Sequence, residues 1–231
     1  MLISSPLPHT EAPHECALCP RLVTLRQEWR AAQPTWWNAP VPAFGDPGAW
    51  LAIVGLAPGR QGANRTGRPF TGDTAGKMLW ASLDRFGLME GEYEGGPLDA
   101  VTLKGAIILN AVKCLPPGNK PTPEEIRTCR PFLKDSLDAL PHLTTIIALG
   151  EIAHQSVVKA NGERLPKRRF AHSAVHSLLN GRRLIDSYHP SQLNQNTGRL
   201  TAEMFDAVFE MATVSRRDVP TLGMTLPPDE V

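Results

Sequence analysis

The sequence predicts an α/β protein with a four-stranded, mostly parallel sheet that is covered by helices on both faces. Four short apolar runs alternate along the chain with segments of helical periodicity, and such runs are typical of parallel strands buried on both faces. Ligands in such sheets bind outside the carboxyl ends of the strands. We therefore expect the ends of the first, second and fourth strands, which are followed by chemically unusual residues, to line one pocket. The predicted strands are Leu51 to Val54, Ala106 to Val112, Thr144 to Leu149 and Arg183 to Tyr188.

The composition favours one globular domain over the whole chain. Its 231 residues are 42% apolar, which is enough for one sizeable core, and the net charge of +1 gives no reason by itself to propose a nucleic-acid partner. The amino terminus lacks the basic and apolar regions of a signal peptide, and no apolar run approaches the ~20 residues of a membrane helix. We expect a cytoplasmic monomer without membrane contact, with an irregular segment at residues 1–14 and an extended tail at residues 215–231.

Capping residues and prolines mark where helices begin. Thr122-Pro-Glu-Glu has the form of a capping box with proline at the first helical position, so a helix begins there. Pro131 predicts that this helix ends or restarts near Arg130. Thr71-Gly-Asp-Thr marks the start of another helix. The apolar spacing predicts the remaining helices at Arg21 to Arg30, Glu151 to Lys159 and Thr197 to Thr213.

A long glycine-rich connection follows the first strand. It holds glycines at positions 55, 59, 62, 67 and 72, and glycine lets backbone N–H groups approach a ligand closely. A Rossmann-type phosphate loop is the alternative, and it is disfavoured because neither G-x-G-x-x-G nor G-x-x-x-x-G-K-[ST] occurs here. The connection also carries a concentration of reactive and basic side chains: Asn64, Arg65, Arg68, Phe70 and Asp73. We interpret it as part of a ligand site.

Four cysteines indicate a metal centre. Cys16 and Cys19 form a C-x2-C pair, and fourteen residues separate Cys114 from Cys129. Disulfides are not expected in a chain without an export signal, so the alternatives are a metal or iron–sulfur site and four buried thiols. The pairing of C-x2-C with two later cysteines favours a metal or cluster. The spacing alone does not distinguish zinc from iron.

Three long motifs carry a resemblance to a known family. They are VGLAPG followed by NRTGRPFTGDTAG, LNAVKC followed after one residue by PPGNKPTPEE, and HPSQLNQNTGRLT. Together they resemble family 5 of the uracil-DNA glycosylase superfamily, the broad-specificity iron–sulfur branch, from about Cys16 to Phe209. Family 4 carries an acidic residue in its G-E-A-P-G motif. Here Leu56 and Ala57 stand between Gly55 and Pro58, which favours family 5 and removes the usual water-activating residue from its usual place.

The resemblance implies an α/β/α sandwich that excises deaminated bases from DNA. The implied reaction is monofunctional hydrolysis of the N-glycosidic bond of uracil, hypoxanthine or xanthine in single- or double-stranded DNA. It leaves an abasic site and begins base excision repair. The implied cofactor is a [4Fe–4S] cluster on Cys16, Cys19, Cys114 and Cys129. By motif match, Asp73 activates water, Asn110 and His189 contact the base or its glycosidic end, and Phe70 stacks on the flipped base. The implied base-binding set is completed by Gly55, Leu56, Ala57 and Gly59.

The same side chains have structural alternatives. Cleavage builds positive charge on the sugar and negative charge on the base, so Asp73 could stabilise the sugar and His189 could donate to the base oxygen. An aspartate just before a helix is also a good N-cap. Asn110 offers both a donor and an acceptor to a base edge, but could equally be a structural amide. Phe70 could stack on a base or pack in the core.

Candidate DNA contacts lie on both sides of the implied pocket. Leu193 could wedge into the duplex where the base has left, or belong to an ordinary polar loop with its neighbours. Basic residues could contact phosphates, although a solvated surface is the commoner explanation of such clusters. The candidate DNA-binding residues are Arg65, Arg68, Ser191, Leu193, Asn196 and Arg199, and Lys167 to Arg169 form a further basic run.

Two other functions compete with a broad-specificity glycosylase. Because Leu56 and Ala57 cannot activate water, a non-catalytic iron–sulfur protein that binds damaged DNA is one alternative. A strictly uracil-specific enzyme of the family 4 type is the other.

Overall fold

The computed structural model describes residues 11–165 and 168–217. The strands are β1 (Phe44–Gly45), β2 (Leu51–Gly55), β3 (Met89–Glu90), β4 (Thr102–Leu103), β5 (Ala106–Asn110), β6 (Thr145–Leu149), β7 (Val175–Ser177) and β8 (Arg183–Ser187). The helices are α1 (Pro20–Ala32), α2 (Ala63–Thr66), α3 (Thr74–Arg85), α4 (Pro123–Asp138), α5 (Glu151–Ala160), α6 (Gln192–Asn196) and α7 (Ala202–Arg217), with a 3₁₀ turn at Pro117–Asn119.

The central sheet has the order β1-β5-β2-β6-β8-β7. The four predicted strands form its middle, where β2 pairs in parallel with β5 and β6, and β6 pairs in parallel with β8. The predicted strand number of four is wrong, because β1 and β7 add short antiparallel edges and bring the sheet to six strands. Strands of two and three residues are too short to show a hydrophobic period in the sequence. The predicted α/β class is confirmed.

Helices cover both faces of the sheet. Successive strand residues point to opposite faces, so Leu51 and Ile53 join one apolar cluster and Ala52 and Val54 join another. The first cluster holds apolar residues of α3 and α7, and the second holds those of α4 and α5. This three-layer arrangement leaves the carboxyl ends of the strands open at one edge, where the connections meet.

Helix α4 corrects one prediction and confirms another. The capping box is present: Glu125 N donates to Thr122 Oγ1 (3.2 Å) and Thr122 N donates to Glu125 Oε2 (2.7 Å). The helix then runs through Pro131 without ending near Arg130. Pro131 is exposed, so its ring lies on the solvent side, while Leu133 packs into the core. The burial of this face outweighs the roughly 3 kcal/mol that an internal proline costs a helix.

The carboxyl-terminal helix also differs from its predicted bounds. The helix predicted from Thr197 to Thr213 begins only at Ala202, because Gly198 has a φ of 68°, and a short helix, α6, precedes it and ends at Asn196. Helix α7 continues to Arg217, so the predicted tail does not begin at residue 215. Residues 11–14 are irregular as predicted, while residues 1–10 and 218–231 lie outside the described residues. Within the described part of the chain, no helix is both long enough and apolar enough to cross a membrane.

Candidate active site

A pocket of about 360 Å³ opens at the carboxyl ends of β2, β5 and β8. These are the first, second and fourth predicted strands, so the expected convergence is confirmed. Its size is at the lower end of the ~300–1,000 Å³ common for small-ligand sites. The residues that line it are Leu56, Ala57, Gly59, Ala63, Phe70, Asp73, Thr74, Ala75, Asn110, Asn119, His189, Ser191 and Gln192.

Phe70 forms an apolar wall of the pocket and also belongs to the core. Its side chain is 8% exposed and lies against the backbone of Gly55, where an added Cβ would come within 2.7 Å of the ring. Phe70 has a φ of +51°, which is unusual for a residue with a side chain, and Trp80 Nε1 donates to its carbonyl oxygen at 2.7 Å. The stacking and core interpretations are therefore compatible. Gly55 is required because any side chain there would displace the ring.

Arg68 does not face DNA, which contradicts the prediction that it contacts phosphate. It is 5% exposed, and its guanidinium donates to both carboxylate oxygens of Asp99, the Nη2–Oδ2 distance being 2.9 Å. It also donates to Thr71 Oγ1 at 2.8 Å and to Gly96 O at 2.6 Å. Its Cζ lies over three aromatic rings, those of Phe44, Trp80 and Tyr93. This buried cation anchors the glycine-rich connection that carries Phe70 and Asp73.

Asp73 is both an N-cap and a pocket residue. Its Oδ1 accepts a hydrogen bond from Gly76 N at 2.8 Å at the start of α3. Its Oδ2 lies against the glycine-rich connection, where a Cβ added to Gly62 or Gly59 would come within 2.3 or 3.2 Å of it. The helix amino terminus favours the ionised carboxylate. The capping role therefore leaves a negatively charged side chain at the pocket wall.

His189 reaches the pocket from the end of β8. Burial lowers the pKa of His189, and the nearby Asp73 carboxylate only partly opposes this effect. The imidazole is therefore neutral at pH 7 and can donate one hydrogen bond to a ligand. Its ring centroid lies 5.9 Å from that of Phe70. Asn194, which the sequence did not single out, fixes this connection because its Nδ2 donates to the carbonyl oxygen of His189 at 2.8 Å.

Asn110 lines the pocket and carries an unsatisfied, buried donor. The residue is 3% exposed at the end of β5, and its Nδ2 makes no hydrogen bond within the described residues. Buried amide donors almost always have a partner, so an unpaired one at a pocket wall indicates a ligand acceptor. The structural-amide alternative does not account for this nitrogen.

Asn119 and Gln192 complete the polar rim of the pocket and were missed from the sequence. Asn119 has a φ of 57° in the 3₁₀ turn, and Gln192 opens α6. The Gly118-Asn119 pair just beyond the second strand is a turn signal that could have been used. Leu56, Ala57 and Gly59 line the pocket as predicted and contribute no carboxylate.

The other predicted DNA contacts surround the pocket. Leu193 is 71% exposed on α6, beside the pocket residues Ser191 and Gln192, while the Ser191 hydroxyl caps α6. Arg65 is exposed, and Arg199 is exposed with its Cζ 4.5 Å from the centre of the Tyr188 ring. Asn196 is also exposed. Of the basic run, Lys167 lies outside the described residues, and Arg168 is turned inward to Glu163, with an Nε–Oε2 distance of 2.6 Å.

The four cysteines meet in a second, mostly apolar pocket between α1, the segment after β5 and α4. Burial raises the pKa of Cys114 to about 12 and the pKa of Cys19 to about 11. The negative charge that an ionised Cys129 would carry is the second cause in both cases. Free thiols in this pocket would stay protonated at neutral pH, whereas a bound cation would stabilise the thiolates. Four thiols that line one pocket are the donor set of a four-thiolate metal or iron–sulfur site. Cys16 completes the set.

The two pockets are neighbours. Ala57 lines the first pocket and packs against the apolar cluster that contains Cys129, against which Cys19 and Cys114 also pack. The backbone N–H of Lys113 donates to Cys129 Sγ at 3.3 Å, three residues after Asn110. The cysteine pocket thus supports the wall from which Asn110 projects.

Comparison with known proteins agrees with this arrangement. The family model for the uracil DNA glycosylase superfamily matches residues 42–213. A type-5 uracil-DNA glycosylase from Thermus thermophilus is 45% identical over 195 residues, covering 82% of this chain and 89% of that protein. One from Mycobacterium tuberculosis is 42% identical over 205 residues, covering 85% and 76%. A type-4 uracil-DNA glycosylase from Pyrobaculum aerophilum is 35% identical over 128 residues, covering 55% and 57%. The chain therefore belongs to the type-5 branch of the uracil-DNA glycosylase superfamily.

Proposed function

We propose that this chain is a monofunctional DNA glycosylase that removes uracil, hypoxanthine and xanthine from DNA and leaves an abasic site. The observation that carries the proposal is the convergence of Asp73, Asn110 and His189 on one pocket with an aromatic wall. A base must leave the stack to reach such a pocket. The names of the type-5 relatives support uracil as a substrate.

In the proposed mechanism, different residues stabilise the positive charge and the negative charge that develop during cleavage. The bond between the base and the sugar breaks and its electron pair leaves with the base. Water then adds its hydroxyl group to the sugar, and the proton that this water releases neutralises the departed base through solvent. Asp73 stabilises the positive charge on the sugar and orients that water. His189, as a neutral donor, binds the base oxygen on which negative charge develops. Asn110 Nδ2 donates to an acceptor on the base edge, and Phe70 stacks on its face.

The proposed cofactor is a [4Fe–4S] cluster held by Cys16, Cys19, Cys114 and Cys129. When bound, it would join the amino-terminal segment, the segment after β5 and α4 into one unit beside the base pocket. We also propose that the protein acts in the cytoplasm as a monomer on single- or double-stranded DNA. We assign the phosphate contacts to the exposed Arg65 and Arg199. The exposed Leu193 is the proposed wedge that enters the duplex where the base has left.

Duplexes that contain U:G, hypoxanthine:T, xanthine:C or undamaged T:A, together with the matching single strands, test the substrate range. We expect abasic product from the first three and none from T:A. Product from uracil alone would favour a strictly uracil-specific enzyme. Binding to damaged duplexes without product from any of them would favour the non-catalytic damage-binding alternative and would overturn the proposal.

Asp73→Asn tests the mechanism without removing the helix cap, because asparagine caps helices about as well as aspartate. Single-turnover excision of uracil should slow by about 10²–10⁴-fold, with the melting temperature almost unchanged. Asp84→Asn, which removes an exposed carboxylate from the same helix, is the matched control and should excise at the wild-type rate. A near-normal rate in Asp73→Asn would assign the carboxylate role elsewhere.

Iron and sulfide analysis should find about four of each per chain, and zinc in their place would contradict the cluster.

A further inference from the structure

Two buried cations face the cysteine pocket with few partners. Arg26, on α1, is 7% exposed and lines that pocket. Its Nη2 donates to Cys16 O at 3.0 Å, while its Nε and Nη1 are buried without a hydrogen bond among the described residues. Glu15 lies 3.9 Å from Nη2, but its side chain is 65% exposed. The guanidinium therefore keeps two donors turned into the protein.

Lys113 is a second buried cation that lines the same pocket. It lies directly before Cys114 and is 1% exposed. Its Nζ is 3.4 Å from Glu11 Oε2, yet neither atom makes a hydrogen bond in the part of the chain that the structure describes. A fully buried amine without hydrogen bonds is costly unless a further negative charge lies nearby.

The charges of the two states of the pocket explain the imbalance. With four neutral thiols, these cations have two acidic neighbours among the described residues: Glu11, beside Lys113, and Glu15, which is exposed and is shared between Arg26 and Arg30. Four thiolates carry more negative charge than a zinc ion or an iron–sulfur core neutralises, so the loaded pocket is a net anion. The two buried cations thus have the sign of charge that the loaded pocket requires.

We propose that Arg26 and Lys113 are the counter-cations of the four-cysteine pocket, which retain its anionic metal–thiolate group and, for an iron–sulfur cluster, raise its reduction potential. This inference rests on the proposed cofactor and concerns residues outside the base pocket. Positive charge and N–H donors near a cluster stabilise the more negative, reduced form. The backbone N–H of Lys113, which donates to Cys129 Sγ, acts in the same direction.

Four charge variants of the purified, metal-loaded protein test the inference. Arg26→Gln and Lys113→Met remove the charges, whereas Arg26→Lys and Lys113→Arg retain them with altered shape. Arg30→Gln is the matched control, because Arg30 lies one turn further along α1 and binds Asn38 O and Glu15 instead of lining the cysteine pocket. The readouts are metal and sulfide content, the rate of metal loss to a chelator, and the reduction potential measured by spectroelectrochemistry.

We expect the two charge-removing variants to lose metal at least about tenfold faster than the wild type and to shift the potential to more negative values. The charge-retaining variants and Arg30→Gln should stay close to the wild type. Unchanged retention and potential in both charge-removing variants would overturn the inference, as would equal shifts in the charge-retaining variants. A wild-type protein without bound metal would overturn the cofactor proposal together with this inference, and excision assays on that same protein test the proposed glycosylase separately.

Discussion

One buried arginine lies near each of the two pockets, and the two arginines differ in their hydrogen-bond partners. Arg68, beneath the base pocket, is satisfied by Asp99, Thr71 and Gly96 and is enclosed by three aromatic rings. Arg26, beside the cysteine pocket, is equally buried but has one hydrogen-bonded nitrogen among the described residues. Among the described residues, the first cation has a buried anion in Asp99, whereas the second has the exposed Glu15 at 3.9 Å and faces four thiols.

The difference distinguishes buried charges that are paired with other side chains from buried charges that lack a partner among the described residues and can bind a ligand. A buried cation with a full set of partners stabilises the loop that it joins, and its removal should damage the fold. A buried polar group that the described residues leave without a partner is a candidate for binding water, an ion or a ligand. Asn110 Nδ2 is the same case in the base pocket. Four measurements test this distinction.

The largest effect is expected for Asp99→Ala. This change leaves Arg68 buried and unpaired, so the free energy of unfolding should fall by about 3–5 kcal/mol, and excision should fall with it because the connection that carries Asp73 loosens. Chemical denaturation measures the first effect. Asp84→Ala, on an exposed face of α3, is the control and should change stability little. A loss below 1 kcal/mol in Asp99→Ala would show that Arg68 does not anchor the connection.

Asn110→Leu should separate activity from stability. Losing a donor to the base should slow excision by about 10²–10³-fold, whereas the free energy of unfolding should not fall, because the Nδ2 donor has no partner to lose among the described residues. Asn64→Leu is the matched control. Asn64 is also buried, but its Nδ2 donates to Asn38 Oδ1 at 2.9 Å, so its loss should cost about 1–3 kcal/mol. Equal destabilisation of both variants would contradict the distinction.

Arg26→Met should have opposite effects in the two metal states. In metal-free protein it removes unsatisfied buried donors, so the free energy of unfolding should rise by about 1–3 kcal/mol. In metal-loaded protein the same change should reduce metal retention. Arg68→Met, the satisfied counterpart, should destabilise both states. Thermal melts before and after metal removal compare both variants with the wild type, and a loss of stability in metal-free Arg26→Met would contradict the distinction.

The smallest effect is a pH dependence that contrasts two buried histidines. Burial lowers the pKa of His189, whereas His154, which burial alone would also lower, has its pKa raised by the hydrogen bond and charge of Asp186. His154 Nδ1 lies 2.8 Å from Asp186 Oδ1 and its Nε2 lies 3.1 Å from Arg168 O. Both partners are acceptors when Asp186 is ionised, so His154 then carries both protons.

A raised folded pKa stabilises the protein below the unfolded value, about 6.5. The contribution of His154 should therefore be complete in mild acid and lost as the pH rises through its folded pKa. NMR titration of the imidazoles should show His154 changing charge above pH 6.5 and His189 below it. Asp186→Asn should remove the alkaline loss of stability, and a His154 that titrates below its ordinary value would refute the assignment.

Sequence patterns predicted the elements well where they were long, and less well where tertiary packing decided the outcome. The four central strands, the capping box at Thr122 and the N-cap at Asp73 all follow from local chemistry, and all are present. The edge strands are too short to carry a pattern. The continuation of α4 through Pro131 depends on burial that a local rule does not contain.

Local sequence patterns predicted the α/β class, the strand ends that meet at the pocket and several of the side chains that line it, because hydrophobic period and turn chemistry are local properties. Only the tertiary structure decided what each polar group is paired with. Arg68 and Arg65 are both basic residues of one glycine-rich connection. Arg68 is buried and paired with Asp99, whereas Arg65 is exposed. Asp99 lies thirty-one positions from Arg68, so its pairing exists only once the chain has folded.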